Sequence, residues 1–428
     1  MCAGILENSQ THQTLEFLNR QLTLKIYQLN TLFELSKDFS AVWDSEAIFR
    51  ILGTSLIGQL LISRCAVFTF LNDTLQLQFV RGFRLQDSDL DCLRALNLKS
   101  FFSADGTPVY CSNIPNSELL EFCSANKIHL LFPLVLNEEV RGMILLGDRK
   151  NRKPFGQEEY DFINTLGNLA VVADENARMQ HAMIEKERME RELAIARDIQ
   201  VSLLPSEAPR IEGYEIASVF HPCYSVAGDY FDFLPVSDHE TAIAIGDVSG
   251  KSTPAALIMV RLQASLRTLA SIEVTDPHIT LQKLNRLLCD RQSNKYVTFF
   301  YGVLNHRDHT LHYVNAGHCY PLIVKKNGSV DRLETGGTVL GFFKDIQYRN
   351  ATYSLDPQDV VILYTDGVSE LTNQNEEEFG PHRIIELLQR FHAEPVDSLK
   401  EKIIAALEEH GQGQHQGDDI TFILLKRL

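Results

Sequence analysis

The sequence predicts an α+β protein made of two globular regions joined by a helical stalk. Short strand-like apolar runs and amphipathic helical periods alternate on both sides of residues 176–204. That intervening stretch, by contrast, is charged, favours helix, contains no strand-like run and stops at Pro205. The 428 residues are enough for two to three domains, each able to bury a core. A formal charge of -16 and the lack of any basic stretch exclude nucleic acid as a partner. A protein this acidic that acts on phosphate needs bound cations. The eight cysteines form no C-x-x-C pair or zinc-like cluster, which suits reduced thiols in a cytosol. The opening MCAGILENSQTHQ lacks a signal peptide's basic start, and runs such as LLFPLVL are too short to cross a bilayer. A cytoplasmic protein with no membrane insertion is expected.

Residues 1–31 read as an N-terminal helix, because Leu15, Leu18, Leu22, Ile26, Leu29 and Phe33 recur at three and four residues. A second helix, opened by Asp44 or Ser45, carries Ile48, Leu52, Leu56 and Leu60 on one face. Cys65–Leu71 and Leu75–Phe83 then form an antiparallel hairpin around Asn72, Asp73 and Thr74. Leu130–Asn137 and Val140–Arg149 form another across Glu138 and Glu139. A last helix starts after Gly156, with Glu158 and Glu159 in the first turn, where they complement its dipole.

This helix, hairpin, hairpin, helix order over residues 32–175 resembles a GAF sensory domain. The resemblance implies an α+β sheet domain that dimerises and receives a small-molecule or protein signal. Asn151, Arg152, Lys153, Phe155, Glu158 and Glu159 fit a cyclic-nucleotide motif or, more simply, ordinary helix capping.

Within 176–204, Met179, Ala182, Lys186, Met189, Leu193, Ala196, Gln200 and Leu203 form a heptad-like seam. Lys186 and Gln200 interrupt it, so the stretch reads as a parallel two-stranded linker of nearly balanced stability or as a solvated spacer. The paired reading makes the protein a homodimer.

The third region, 205–428, holds the chemistry. AIAIGDVSGKSTPAALIMV, read from Ala242, ends an apolar strand on Asp247. A carboxylate there either caps the following helix or meets a cation, since burial without a partner is costly. Further acids stand beside strand-like runs: Asp229 and Asp232 in VAGDYFDF, Asp366 in LYTDGVSE, Asp418 and Asp419 in GDDITFIL. Strands are expected at EIASVFHP, AIAIGDVS, TFFYGVLN, LHYVNAG, PLIVKK, DVVILYTD and ITFILLKRL, and helices at 255–271, 279–291, 383–392 and 396–409.

LAIARDIQVSLLP, VAGDYFDF, GDVSGKSTPAAL, NAGHCYP, LYTDGVSE and GDDITFILL, in this order, resemble the SpoIIE/RsbU-like branch of the metal-dependent, type 2C-like serine/threonine phosphatases. The resemblance implies an α/β/β/α sandwich holding two divalent ions, manganese or magnesium, at one edge. It implies that Asp247 bridges the ions and that the Val248 carbonyl binds one of them. Asp366 and Asp418 complete one shell and Asp229 serves the other, with Asp232, Asp419 and His318 as possible outer supports. Hard divalent ions prefer such oxygen donors. Water activated between the ions attacks phosphorus in line, and Asp247 and Asp229 are the residues on which catalysis rests. His318 could instead donate to the leaving oxygen, or simply hold the NAGH turn.

Relatives with a sensory front end imply a phosphorylated anti-sigma factor antagonist as the protein substrate. Two positions depart from the branch: Ala227 replaces a usual glycine in VAGD, as does Ser252 in GKS. An inactive GAF and pseudo-phosphatase signalling module is therefore the alternative.

Overall fold

The computed structural model describes residues 2–428 except 72–73, 97, 104–105, 224–225, 252, 273–275, 290–294 and 415. In the first helix, the side chains of 2–14, 16, 17, 20, 21 and 24 are also outside the description. The expected turn at Asn72 and Asp73, the departure at Ser252 and the expected helix end at Arg291 therefore fall outside the described residues. The chain divides into two compact units, Met1–Glu187 and Arg188–Leu428.

The first unit opens with α1 (Cys2–Ala41) and α2 (Ser45–Leu60). Asp44 caps α2 by accepting a hydrogen bond from the Ala47 amide at 3.0 Å. Strands β1 (Cys65–Leu71) and β2 (Thr74–Arg81), helix α3 (Asp87–Ala95), β3 (Val109–Tyr110), α4 (Ser117–Asn126), β4 (Ile128–Leu136) and β5 (Glu139–Gly147) follow. They build one antiparallel sheet in the order β2-β1-β5-β4-β3. The β4–β5 turn sets Asn137 at φ 52° and Glu138 at φ 63°. Two successive left-handed residues match the twist of a tight hairpin. Gly156 and Glu159 use capping chemistry: the Gly156 amide donates to Glu159 Oε2 at 2.8 Å, and Arg149 bonds Oε1 at 2.7 Å.

Helix α5 (Gln157–Leu203) runs 47 residues without a break, so the last helix of the sensory region and the stalk are one element. Every side chain from Met179 to Glu192 is exposed. Gln200, expected on the coiled-coil seam, is instead buried in the second unit.

The second unit contains β6 (Tyr214–His221), β7 (Tyr230–Ser237), β8 (Glu240–Val248), α6 (Thr253–Ile272), α7 (Pro277–Leu288), β9 (Val297–Asn305) and β10 (Thr310–Ala316). It continues through β11 (Leu322–Val324), β12 (Val330–Arg332), β13 (Gly336–Gly337), β14 (Ala351–Ser354), β15 (Val360–Tyr364), α8 (Asp366–Ser369), α9 (Gly380–Phe391), α10 (Val396–His410) and β16 (Ile420–Arg427). One sheet runs β13-β10-β9-β8-β7 with β14 also on β10, and the other runs β12-β11-β15-β16-β6.

Alternation along β15 and β16 explains the layering. Val361, Leu363, Ile423 and Leu425 join the core with Ile243, Ile245 and Phe299 of the facing sheet. Their neighbours Val360, Ile362, Phe422 and Leu424 pack against Ile384, Leu388, Leu399 and Ile403 of α9 and α10. Helices α6 and α7 cover the other sheet through Met259, Leu262, Leu281 and Leu284. The result is the expected α/β/β/α sandwich.

Candidate functional site

Acids from separate segments meet at one end of the sandwich because strands of both sheets end there. Asp247 is the penultimate residue of β8, Asp366 opens α8 just after β15, and Asp418 and Asp419 lead into β16. The loop before β7 supplies Asp229 and sits against β8: a Cβ on Gly228 would lie 3.2 Å from the Val248 carbonyl oxygen and 3.3 Å from Asp247 Oδ1. Glycine eases this approach, since a Cβ there would fit only if its neighbours gave by a few tenths of an ångström.

Asp229 is 1% exposed, and its Oδ2 accepts hydrogen bonds from the hydroxyls of Thr365 at 2.9 Å and Thr421 at 2.5 Å. Burial, and then the Asp247 charge, raise its pKa well above the ordinary carboxylate range. Burial lifts Asp247 to about 7, reinforced by Asp366, Asp418 and Asp419. Asp366 is raised by burial and by Asp418. Repulsion on this scale among partly buried carboxylates is what divalent cations relieve.

Among the described residues, no three His, Cys, Asp or Glu side chains are drawn tightly around one point. The acids nonetheless feel each other's charge, Asp247 that of Asp366, Asp418 and Asp419, and Asp229 that of Asp247. Magnesium-type ions keep several waters and take only one or two carboxylates each, so a spread donor set fits them. Asp229, Asp247, Asp366, Asp418 and the Val248 carbonyl are all hard oxygen donors, the kind that could hold such ions.

The expected outer supports separate into different roles. Asp419, 5% exposed, accepts the Cys223 amide at 2.7 Å on one oxygen and the Gly228 amide at 2.8 Å on the other. It thereby ties the Asp229 loop to β16. Asp232 does not join the cluster. Its buried carboxylate is held by Arg267, at 2.8 and 3.2 Å, and by the Tyr230 hydroxyl at 2.8 Å.

His318 is buried, with Nδ1 2.9 Å from the Thr298 hydroxyl and its amide donating to Asn315 Oδ1 at 2.7 Å. Its Nε2 lies by the Tyr364 backbone without forming a well-shaped hydrogen bond. Burial lowers its pKa to about 4, so the ring is neutral and supports the turn. Thr298 pairs with Asp247 across β8 and β9, so His318 braces the neighbour of the central acid.

Several residues at the site were not anticipated. Thr365 and Thr421 stand beside the expected acids but gave no signal of their own. Gln200, at the end of α5, donates to the Ala227 carbonyl at 2.8 Å and accepts the Ala227 amide at 2.9 Å. Ala227 is not among the positive-φ residues, so its departure from glycine carries no strain. Lys251 lies 3.3 Å from Asp418 Oδ2. A thiol and a hydroxyl near the cluster take part in backbone hydrogen bonds: the Cys223 thiol donates to the Gln416 carbonyl at 2.8 Å, and Ser249 Oγ accepts the Tyr296 amide at 2.9 Å.

Residues 237–428 match the family model described as Stage II sporulation protein E (SpoIIE), and residues 47–176 match the GAF domain. The chain is similar to protein IcfG of Synechocystis, 30% identical over 62% of this chain and 46% of that protein. It is also similar to phosphoserine phosphatase RsbU of Bacillus subtilis, 29% identical over 56% of this chain and 72% of that one. The chain thus spans about half of one curated relative and under three quarters of the other. In fold it is similar to the SiaA-PP2C domain of Pseudomonas aeruginosa, with a TM-score of 0.51 at 23% identity, over 57% of this chain and 98% of that domain. The SpoIIE match begins at 237, yet β6, from Tyr214, pairs with β16, so the folded unit starts earlier. Among the described residues no helix is long and apolar enough to cross a membrane.

Proposed function

We propose that this chain, which joins a GAF domain to a SpoIIE-type phosphatase domain, is a sensor-regulated, metal-dependent serine/threonine protein phosphatase. The observation that carries the reading is the convergence of Asp229, Asp247, Asp366 and Asp418 from four separate segments on one sandwich edge. Asp247 and the Val248 carbonyl would hold a manganese or magnesium pair together with Asp366 and Asp418 on one side and Asp229 on the other. Such ions supply water activated near neutral pH and neutralise phosphate charge.

The protein's own groups arrange the rest. Thr365 and Thr421 fix the Asp229 carboxylate, Asp419 pins the loop that carries it, and neutral His318 steadies the strand beside Asp247. Among the described residues, neither Ser249, whose Oγ accepts the Tyr296 amide, nor Cys223, whose thiol donates to the Gln416 carbonyl, is bonded to a side-chain base that would activate it. With water as the nucleophile, hydrolysis needs no covalent phosphoenzyme. The phosphorus–oxygen bond to the serine or threonine breaks as water attacks from the opposite side.

The substrate we assign is a phosphorylated anti-sigma factor antagonist, supported by the resemblance to sensor-linked relatives. The protein works as a homodimer. Leu15, Leu18, Leu22, Ile26, Leu29 and Phe33 on α1, and Met179, Met183 and Met189 on α5, are each more than half exposed and ask for a partner helix. The GAF domain receives the signal.

The test is manganese-dependent release of phosphate from a phosphoserine protein and from a simple aryl phosphate, with Asp247→Asn as the control. Hydrolysis lost in Asp247→Asn supports the reading. A folded wild-type protein inactive with both metals overturns it in favour of a non-catalytic module.

A further inference from the structure

The turn after Asp247 carries a cation of its own into the acidic cluster. Gly250 adopts φ +89°, a left-handed conformation that glycine takes without strain, and this swings Lys251 across to the segment before β16. The Lys251 ammonium lies 3.3 Å from Asp418 Oδ2 and donates to the Gly417 carbonyl. Its charge also reaches Asp366 and Glu370. The other oxygen of Asp418 is engaged as well, since Oδ1 accepts the Asp419 amide at 2.9 Å. A second ammonium, that of Lys295, lies against Gly250 so closely that a Cβ there would fall 2.0 Å from Nζ.

We propose that Lys251 is a tethered counter-ion that competes with the divalent cation for Asp418 and thereby sets the metal concentration at which the site fills. The inference rests on the reading of Asp418 as a metal ligand. A dication arriving at Oδ2 meets an ammonium already paired there, and like charges cannot share that oxygen at close range. Ion binding at that oxygen must therefore move the Lys251 ammonium away from Asp418, and a side chain 48% exposed can be resolvated as it moves. A half-exposed pair of this kind shifts an equilibrium by no more than about fivefold, which makes Lys251 a threshold-setting group and not a lock. Neutralising it leaves the carboxylates in place and removes the competing charge, together with the hydrogen bond to Gly417.

The experiment titrates the full chain with manganese and follows free Mn2+ by electron paramagnetic resonance, for wild type, Lys251→Met, Lys251→Arg and Asp247→Asn. Lys251→Met is expected to bind Mn2+ about three- to fivefold more tightly than wild type, and Lys251→Arg to restore wild-type affinity. The added melting temperature that manganese confers should rise in step in Lys251→Met. Unchanged or weaker binding in Lys251→Met, with wild type and Asp247→Asn clearly different, overturns the counter-ion role and leaves the metal site standing. A wild-type protein that takes up no Mn2+ overturns the metal-site reading and this inference with it.

Discussion

Replacing Gln200 by leucine separates two accounts of the stalk helix by the sign of one stability change. In a coiled-coil seam, leucine at this heptad position fills the core and strengthens the dimer. In the structure, Gln200 is 4% exposed and makes both of its amide hydrogen bonds to the peptide of Ala227, itself 1% exposed, at 2.8 and 2.9 Å. Leucine can make neither bond, and leaving the Ala227 amide and carbonyl buried without partners costs about 1–3 kcal/mol each. The added apolar burial returns about 1–2 kcal/mol. The expected net loss is therefore about 0–5 kcal/mol, centred near 2–3 kcal/mol, which for a unit of this size is a drop in melting temperature on the order of 4–12 °C. Calorimetry of the full chain reads that shift. Hydrogen exchange at the Ala227 amide reports the local event, with protection lost in the variant. Because Asp229 lies two residues further on, Mn2+ affinity should also fall. A Gln200→Leu protein that melts at or above wild type, with the Ala227 amide still protected, would refute the assignment and restore the seam.

Other outcomes follow from the same contacts. Arg267→Ala leaves the buried Asp232 carboxylate with the Tyr230 hydroxyl and the Phe233 amide alone. The loss should fall toward the lower end of about 3–5 kcal/mol in chemical denaturation, because Arg267 is itself partly exposed. Mn2+ affinity should be unchanged, and a loss of metal binding without destabilisation would return Asp232 to the metal site. Gly228→Ala places a methyl group 3.2 Å from the Val248 carbonyl oxygen and 3.3 Å from Asp247 Oδ1, so it should weaken Mn2+ binding more than it lowers the melting temperature. Equal Mn2+ affinity in the variant would show that the loop does not form part of the site. For His318, burial lowers the pKa from 6.5 to about 4, so the unfolded chain takes up a proton that the folded chain refuses. Its contribution, on the order of 3 kcal/mol, is complete above 6.5 and is lost as pH falls toward 4. Melting curves of wild type and His318→Gln should converge across that window, and a pH-independent difference would contradict the buried neutral ring.

The sequence made the sheets and the acids legible for different reasons. Strands such as Ala242–Ser249 and Ile420–Leu428 announce themselves because apolar runs flanked by turns admit few other structures. Each carries its aspartate at the strand end, so aligning the strands aligns the acids. Partners brought together by tertiary structure were not legible. Periodicity placed Gln200 on one face of a helix but could not say that this face meets Ala227, which arrives only when the next loop folds back. Asp232 and Arg267 come together because β7 and α6 pack, and nothing local to either residue marks the pair. Lys251 stood inside the very motif that located Asp247, yet its reach to Asp418 depends on the left-handed Gly250 turn. The unbroken length of α5 was hidden for the opposite reason: a change in composition near Asn176 reads as a boundary, while the backbone continues through it.

Among the described residues, strand β6 is an edge strand whose one neighbour is β16, with Tyr214 opposite Arg427 and His221 opposite Ile420. On a ribosome, β6 therefore emerges long before the strand that completes it, and must wait with its backbone amides and carbonyls bonded to water in place of a strand. Such delayed pairing slows folding and invites wrong partners, so newly made chains should lean on chaperones that shield exposed sheet edges. The same late strand brings in Asp418 and Asp419, so the cluster of acids is incomplete until the sheet is closed.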